Sequence, residues 1–335
     1  MQAITDLKPL LQTPKNIVIT THPKPDGDAM GSSLGLYHYL LLKGHNVHVI
    51  TPTDYPFFLH WLPGNGEVLV YTEKQAEAEK LIADADFIFC LDFNGLRRIN
   101  GMGDVIGASL AQKVMIDHHL EPEGFDNFRL WNAAACATAE LVYDFMVQMG
   151  DKHLLNKQIA SCLYCGIMTD SGSFRFNSVT SHVHKVVADL IEAGADNSRI
   201  HELVYDTYSE NRTRFLGYCL KDKLQVFPEF RTALIALTQQ DLAKYEVTSG
   251  DTEGIVNYAL SINNIKFAVI IIDRAEIVKL SLRSKGEFPA NEVAKKYFEG
   301  GGHHNAAGGQ SNLSLEATVE KFISILPEYK ELLNV

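Results

Sequence analysis

The chain of 335 residues is poor in cysteine and has no long uncharged apolar run. Its five cysteines are too few, and odd in number, for a disulfide scaffold, so a reducing, cytoplasmic environment is expected. No stretch reaches the roughly 18 apolar residues that a membrane-spanning helix needs. Residues 1–15 lack a basic segment followed by an apolar one, and no secretory signal is therefore predicted.

Basic residues are also scarce, since 30 lysines and arginines face 41 acidic residues and give a formal net charge of −11. A surface that is acidic overall does not bind long duplex nucleic acid, because that binding needs clustered lysine and arginine side chains. The same charge still allows a small anionic substrate in a local basic pocket. The remaining composition, 46% hydrophobic and 21% charged, is typical of a folded globular protein.

Short apolar segments alternate with helical ones in the first half, which predicts a mostly parallel sheet with helices on both faces. The predicted strands are residues 16–21, 47–50, 86–91 and 113–116, and the predicted helices are 30–42, 74–83, 133–149, 157–168, 181–193 and 199–208. The second half predicts a smaller α/β unit, with strands at 231–237, 267–272 and 277–282 and helices at 211–224, 253–262, 291–298 and 315–326. We therefore expect an α/β protein with domains at 1–205 and 226–335 and a helical connector at 206–225.

Histidines and carboxylates follow the predicted strands of the first half directly. They are His22, Asp26 and Asp28 after the first strand, Asp92 after the third, and Asp117, His118 and His119 after the fourth. Because ligands bind beyond the carboxyl ends of parallel strands, these side chains are expected at one edge of one sheet. Taken singly, each has an ordinary explanation, such as a helix cap at Asp28 or a turn at Asp92. Taken together, they indicate a metal site.

Asp170 adds a carboxylate at the end of a helical run of small residues, where Gly172 is also explained as a simple helix stop. A carboxylate that bridges two ions about 3.5–4 Å apart would make a two-metal hydrolase. Mixed imidazole and carboxylate ligands suit manganese, iron or cobalt better than magnesium or calcium. Cys162 and Cys165 lie in the same apolar run and are interpreted as core residues, not as a redox or zinc motif.

A second cluster, rich in glycine and histidine, spans residues 300–309 with the sequence GGGHHNAAGG. Glycine lets the backbone approach an anion closely, and histidine and asparagine supply hydrogen-bond donors. The segment is interpreted either as a flexible loop or as a pocket for phosphate or a base. Arg283 ends a predicted strand and could point at the same site. The candidate substrate-binding residues of the second half are Arg283, Gly301, Gly302, His303, His304 and Asn305.

Together these motifs resemble those of the DHH phosphoesterases. The first-half motifs His22-x-x-x-Asp26-x-Asp28, Asp92, Asp117-His118-His119 and Asp170 are similar to those of the DHH domain. Residues 300–308 are similar to the signature of the DHHA1 domain that follows it in this family. The resemblance covers residues 16–326. Within the family it is greatest to the group that degrades nanoRNA and dephosphorylates 3'-phosphoadenosine 5'-phosphate (pAp).

The resemblance implies a site for two divalent ions, with manganese as the expected metal. It assigns His22 and Asp26 to the first ion, assigns Asp28, His118 and Asp170 to the second, and makes Asp92 the bridge between them. His119 would face the scissile phosphate, and Asp117 would act as an orienting residue outside the ligand set. A bridging water would be the nucleophile. Arg283, His303 and His304 would hold the phosphate and nucleotide end of the substrate.

The expected activity is hydrolysis of short 5'-phosphorylated oligoribonucleotides to mononucleotides, and of pAp to AMP and phosphate. Three other enzymes stay open: a phosphodiesterase for linear dinucleotides (pApA), a single-strand DNA exonuclease, and an exopolyphosphatase or pyrophosphatase. A nucleotide-binding sensor without turnover is the alternative outside the enzymes. The expected partners are these substrates, without long duplex nucleic acid or a membrane, and a homodimer is one oligomeric state that stays open.

Overall fold

The computed structural model describes residues 2–248 and 250–334. Its contacts divide the chain into two compact units, Met1–Thr207 and Tyr208–Val335, called the first and second unit below. Each unit has its own β-sheet and its own apolar cores. The predicted fold class, a mostly parallel α/β unit followed by a smaller one, is confirmed. Across the described residues, the helices are too short or too polar to cross a membrane.

The sheet of the first unit is parallel between all its described neighbouring strands. The strands are β1 (Gln2–Ala3), β2 (Asn16–Thr20), β3 (Asn46–Thr51), β4 (Val68–Val70), β5 (Phe87–Leu91), β6 (Gln112–Asp117) and β7 (Phe128–Trp131), in the spatial order β1-β7-β6-β5-β2-β3-β4. Alternate side chains of the central strands enter different cores: Ile17 and Ile19 of β2 pack into one, and Val18 packs into the other. The sheet is therefore buried on both faces, as its continuous apolar strands predict.

Eight helices belong to the described part of the first unit. They are α1 (Leu7–Leu10), α2 (Gly27–Leu42), α3 (Gln75–Ala83), α4 (Met102–Ala108), α5 (Thr138–Met149), α6 (Lys157–Asp170), α7 (Ser181–Glu192) and α8 (Asn197–Tyr205). Helix α2 is buried along most of its length and packs closely on α6. A β-carbon at Gly31 would lie 2.5 Å from the Cys162 carbonyl oxygen, so the glycine permits this close approach. Cys162 and Cys165 are free and fully buried in the core.

The second unit has a mixed sheet. Its strands are β8 (Leu224–Phe227), β9 (Thr232–Leu237), β10 (Phe267–Asp273), β11 (Val278–Ser284), β12 (Gly301–His303) and β13 (Ala306–Ser311), in the spatial order β12-β13-β11-β10-β9-β8. Its helices are α9 (Glu210–Tyr218), α10 (Gln239–Lys244), α11 (Ile255–Leu260), α12 (Ala290–Tyr297), α13 (Leu315–Ile325) and α14 (Lys330–Asn334). Strands β9 and β10 pair in parallel, and the other described pairs are antiparallel.

Residues 206–225, which the sequence presents as a connector, contain α9, one π-helical turn at Cys219–Lys223 and the start of β8. Phe215 and Cys219 are fully buried in a core of the second unit. The predicted helix at 211–224 is correct for α9, but Leu224 already belongs to a strand. That strand pairs with β9 along one side only, and its half-exposed side chains leave little apolar periodicity in the sequence.

Candidate metal centre

The carboxyl ends of β2, β5 and β6 bring the predicted ligand residues of the first half to one edge of the sheet. Strand β2 leads into the loop before α2, β5 ends one residue before Asp92, and β6 ends at Asp117. Helix α6 ends at Asp170 and delivers it to the same place. These side chains form the carboxylate–histidine cluster, which consists of His22, Asp26, Asp28, Asp92, Asp117, His118, His119 and Asp170.

Asp92 lies at the centre of this cluster and is nearly fully buried. Its carboxylate oxygens are 3.4 Å from His22 Nε2, 3.5 Å from His118 Nε2 and 3.7 Å from His119 Nδ1. The hydroxyl of Thr138 donates a hydrogen bond to the same carboxylate at 3.0 Å. One carboxylate is therefore within 3.7 Å of three imidazoles, which would suit a carboxylate shared by two cations.

The backbone at Asp92 adopts a left-handed conformation, with φ at 62°. Aspartate and asparagine tolerate this region better than most residues, but it still costs about 1 kcal/mol or more. A hydrogen bond from the Asp92 amide to the Ile116 carbonyl oxygen, 3.2 Å long, fixes the backbone there. Strained residues of this kind concentrate at functional sites, where the surrounding structure holds them.

His22 and His118 both use Nδ1 to bond a backbone carbonyl. His22 Nδ1 is 2.9 Å from the Pro23 oxygen, and His118 Nδ1 is 3.1 Å from the Ala135 oxygen. A carbonyl only accepts, so each Nδ1 carries a proton and Nε2 is the atom that faces the carboxylates. Metal-binding imidazoles in proteins are oriented in the same way, by a bond from the second ring nitrogen. The two histidines therefore fit a role as metal ligands.

The carboxylates attract positive charge strongly. Burial opposes protonation of both His22 and His118. Asp92 and its acidic neighbours nevertheless raise the pKa of His22 to about 9 and the pKa of His118 to about 11. Burial, with the nearby Asp92 and Asp170 charges, raises the pKa of Asp28 well above its usual value. Carboxylates gathered in this way favour a bound cation, and divalent cations would supply the positive charge.

Asp28 fixes the start of α5. Its two carboxylate oxygens accept the backbone N–H groups of Thr138 at 2.6 Å and of Ala139 at 2.9 Å. The predicted helix at 133–149 is therefore wrong in its first residues: Ala137 is still extended, with φ −158° and ψ 155°, and the helix begins at Thr138. The suggested cap role of Asp28 in its own helix is also wrong, because Asp26 accepts the N–H groups of Asp28 and Ala29 there.

His119 is oriented by Asp117. The Nδ1 atom of His119 lies 2.8 Å from Asp117 Oδ1, and the carboxylate of Asp117 is fully buried. The Asp117 Oδ2 atom is buried and has no hydrogen-bond partner among the described residues. The His119 carbonyl oxygen accepts a hydrogen bond from Trp131 Nε1 at 2.7 Å. Ring and backbone of His119 are thus held from two sides.

The donor atoms of the cluster fall into overlapping groups whose members lie within 4.8 Å of one another. One group is His22, Asp26 and Asp92, another is Asp28, Asp92 and His118, and a third is Asp92, Asp117 and His119. His118 Nε2 is in addition 3.5 Å from Asp170 Oδ2 and 3.9 Å from Asp28 Oδ2. Asp92 belongs to each of the three groups. The residues present therefore fit two adjacent cations that share Asp92.

The candidate substrate-binding residues of the second half lie together at one edge of the second sheet. Residues Gly301–His303 form β12, which pairs with β13, and Arg283 of β11 pairs with Ala306. The segment 300–309 is thus a β-hairpin in the structure, not the flexible loop that the sequence left open. His304 and Asn305 form its turn.

Several residues of this hairpin allow or fix its backbone conformation. A β-carbon at Gly300 would lie 2.1 Å from the Gly308 carbonyl oxygen, whereas one at Gly301 would meet nothing within 4 Å. Gly302 has φ at 139°, which other residues rarely adopt. The Asn305 amide nitrogen donates to Ser284 Oγ at 2.8 Å and to the Gly286 carbonyl oxygen at 2.9 Å. These contacts fasten the turn of the hairpin to the end of β11.

Thr138 is the contact residue of the cluster that sequence reasoning missed. Its backbone N–H bonds Asp28 and its hydroxyl bonds Asp92, so it links two of the buried carboxylates. A threonine at the start of a helix is ordinary in a sequence. Its role depends on where α5 packs, and no local pattern carries that information.

Comparisons with known proteins place both units in known domain families. The family model described as "DHH family, N-terminal domain" matches residues 16–167, and the DHHA1 domain model matches residues 232–332. The chain is 31% identical to the bifunctional oligoribonuclease and PAP phosphatase NrnA of Thermus thermophilus, over 93% of this chain and 89% of that protein. It is 25% identical to the Bacillus subtilis protein of the same name, over 87% of this chain and 88% of that protein.

A solved structure covers nearly the whole chain. The crystal structure of an exopolyphosphatase-related protein from Bacteroides fragilis is 42% identical, matches with a TM-score of 0.95, and covers 99% of this chain and 98% of that one. The matched domains follow one another in the same order as the two units of the structure. The chain therefore belongs to the DHH family of phosphoester hydrolases and carries the DHHA1 domain.

Proposed function

We propose that this protein hydrolyses short 5'-phosphorylated oligoribonucleotides to mononucleotides, and pAp to AMP and phosphate. The observation that carries the proposal is the shared position of Asp92, which belongs to every one of the three overlapping donor groups of the cluster described above. The relatives from T. thermophilus and B. subtilis are named for both an oligoribonuclease and a PAP phosphatase activity, which supports this choice of substrates.

His22 and Asp26 would hold one divalent ion, Asp28, His118 and Asp170 would hold the second, and Asp92 would contact both. Manganese is our proposed ion because the ligands combine imidazole with carboxylate. When bound, the ions would supply a water of lowered pKa as the nucleophile and would neutralise phosphate charge. The chain's own residues position these ligands: carbonyl groups hold the Nδ1 atoms of His22 and His118, and the start of α5 holds Asp28.

His119 would face the phosphate from the protein side. The bond between its Nδ1 and Asp117 fixes the ring. An imidazole that carries a proton on Nε2 can donate a hydrogen bond to a phosphate oxygen or protonate the leaving oxygen. In the second unit, Arg283 and His303 would add donors for the substrate's phosphate and nucleotide, together with Gly301, Gly302, His304 and Asn305.

Hydrolysis of polyphosphate is the second candidate, because the B. fragilis structure is described as exopolyphosphatase-related. Initial rates on pAp, pApA, a 5-mer RNA, single-stranded DNA, polyphosphate and pyrophosphate, with manganese added, decide between the two. We expect pAp and the short RNAs to be the fastest substrates. A preference for polyphosphate or pyrophosphate would contradict the proposal, and binding of pAp without turnover would indicate a sensor.

The length of the RNA is a further test of the proposed substrate. With a net charge of −11, the chain has no excess of cations for a long strand, so nucleotides beyond the site should add little affinity. We expect the rate per molecule to fall steeply between roughly a 5-mer and a 20-mer, measured on 5'-labelled RNAs at fixed salt. A rate that stays flat or rises to the 20-mer would indicate a processive exonuclease.

The site of action proposed for the protein is the cytoplasm. All five cysteines are free and buried in the structure, which is the state expected in a reducing compartment.

A further inference from the structure

Trp131 is an exposed aromatic side chain beside the carboxylate–histidine cluster. It ends β7, where it pairs in register with Asp117 at the end of β6. Its indole Nε1 donates to the His119 carbonyl oxygen at 2.7 Å, yet 40% of the residue is accessible to solvent. Since Nε1 is the only polar atom of the ring, the part of the ring that meets solvent is apolar.

Single exposed hydrophobic residues are common on protein surfaces and need no explanation by themselves. Trp131 differs because its hydrogen bond fixes the ring to the backbone of a cluster residue. Leu120, which directly follows His119, is also exposed, at 45%. Two exposed apolar side chains are therefore attached to His119 of the charged cluster, Leu120 through the chain and Trp131 through its hydrogen bond.

The other tryptophan of the chain provides a contrast. The sequence contains two tryptophans, and Trp61 packs against the apolar core of the first unit. Its Nε1 is buried, and within residues 2–248 and 250–334 no group forms a hydrogen bond with it. Trp61 therefore contributes to the packing of the core. Trp131 instead uses its Nε1 atom for the hydrogen bond to His119, and part of its ring is exposed to solvent.

We propose that Trp131 is a nucleobase-stacking subsite of the first unit, which holds the base of the nucleotide whose phosphate lies at the cluster. The inference rests on the proposed function and adds to it the source of the preference for nucleotides. Stacking on an aromatic ring tolerates every base, because each base has a π-face. The subsite would therefore favour nucleotides over polyphosphate or pyrophosphate without reading the RNA sequence.

Fluorescence tests this directly. In a Trp61→Phe variant, Trp131 is the sole tryptophan, so its emission reports on its own surroundings. The metal-loaded variant is titrated with AMP and with ribose 5-phosphate, which carries the same phosphate and sugar but no base, and binding is followed in parallel by calorimetry. We expect saturable quenching by AMP alone. Equal quenching by both ligands, AMP bound without quenching, or no AMP binding at millimolar concentration would each overturn the subsite.

Kinetics separate stacking from a structural role. Trp131→Ala should raise KM for pAp and for a 5-mer RNA by roughly tenfold or more, with kcat and metal content little changed. Trp131→Phe keeps an aromatic face but loses the bond to His119, and it should restore most of the affinity. If Trp131→Phe is as impaired as Trp131→Ala, the bond to His119 is what matters, and the stacking role is wrong.

A matched control is Leu110→Ala, since Leu110 is fully exposed and lies before β6, at the other end of the strand from the cluster. It should leave KM unchanged. The two proposals fail in different ways. If the unmodified protein prefers polyphosphate, the proposed function is wrong; if it cleaves pAp and short RNA but Trp131→Ala behaves like the unmodified protein, only the subsite is wrong.

Discussion

In the first unit the motif residues lie at the carboxyl ends of buried parallel strands, whereas in the second unit they lie on an exposed antiparallel edge. Asp28, Asp92 and Asp117 are almost fully buried. Gly301 and Gly302, by contrast, are exposed. Burial strengthens the electrostatic interactions of the first set, and its carboxylates converge on one another.

The contrast shows that two motifs that are equally easy to recognise in a sequence can have different structural roles. In the carboxylate–histidine cluster the side chains face one another. Hydrogen bonds to neighbouring strands fix the backbone, for example the bond from the Asp92 N–H group to the Ile116 carbonyl oxygen. In the hairpin, Gly300 and Asn305 are used to bring backbones together and to fasten a turn. The predictions below test that division.

The largest effect is expected from Asp92→Ala. Removing the carboxylate that the three donor groups share should lower turnover of pAp by about a thousandfold or more, while the fold survives. The measurement is turnover and metal content of the purified variant, and Asp84→Ala, at the exposed C-terminus of α3, is the matched control. Near-normal turnover with unchanged metal content would rule out the bridging role.

Gly300→Ala should come next and should act on stability. Its β-carbon would lie 2.1 Å from the Gly308 oxygen, so the hairpin must shift, which we expect to cost about 1–3 kcal/mol. Gly301→Ala, with nothing within 4 Å, is the control and should change the free energy of unfolding by less than about 0.5 kcal/mol. Urea denaturation measures both. If the Gly300→Ala and Gly301→Ala variants have the same free energy of unfolding, Gly300 is not needed for the close approach of the two strands.

Arg283→Ala or His303→Ala should weaken substrate binding. Loss of one charge-assisted hydrogen bond to phosphate is expected to raise KM for pAp by about tenfold. Both metal ions should remain bound, because the carboxylate–histidine cluster belongs to the first unit. Lys279→Ala, an exposed change on the same strand β11, is the control. If either variant of Arg283 or His303 loses the ions, the assignment of ligands to the first unit is wrong.

The smallest effect is expected from Asn305→Ala. The lost bonds to Ser284 and Gly286 should lower the free energy of unfolding by about 1 kcal/mol, as followed by urea denaturation. KM for pAp should change less than in the Arg283 variant. The opposite pattern, a raised KM with unchanged stability, would mean that Asn305 acts mainly on the substrate and not on the turn of the hairpin.

The parts of the fold that the sequence predicted are those with strong local patterns. Residues 16–21, 86–91 and 113–116 each include a short apolar run, and they overlap the central strands β2, β5 and β6 of the first sheet. Strand β7 was missed because Phe128–Trp131 is short and interrupted by Arg129. Strand β12 was missed because Gly301 and Gly302 have no side chains to form a pattern. These strands are defined by their neighbours in the sheet.

The same limit holds for the site. Residue types after strand ends predicted that His22, Asp92 and His118 would meet, and the structure brings them together. Asp92 has a left-handed backbone, and Thr138 bonds its carboxylate. Both features depend on how β6 and α5 pack, and a local sequence pattern does not predict that packing. The sequence therefore predicts that the cluster side chains meet, but it does not predict the backbone conformation and hydrogen bonds that hold them in place.

Strand order also bears on how this protein reaches its native state. Strands β2 and β3, which are close in sequence, pair with each other, but β1 pairs with β7, so Gln2 lies beside Phe128. Strand β1 can join the sheet only once β7 is in place. Contacts between such distant residues form slowly because a long loop must close. The pairing of β1 with β7 is therefore expected to form after the pairing of β2 with β3.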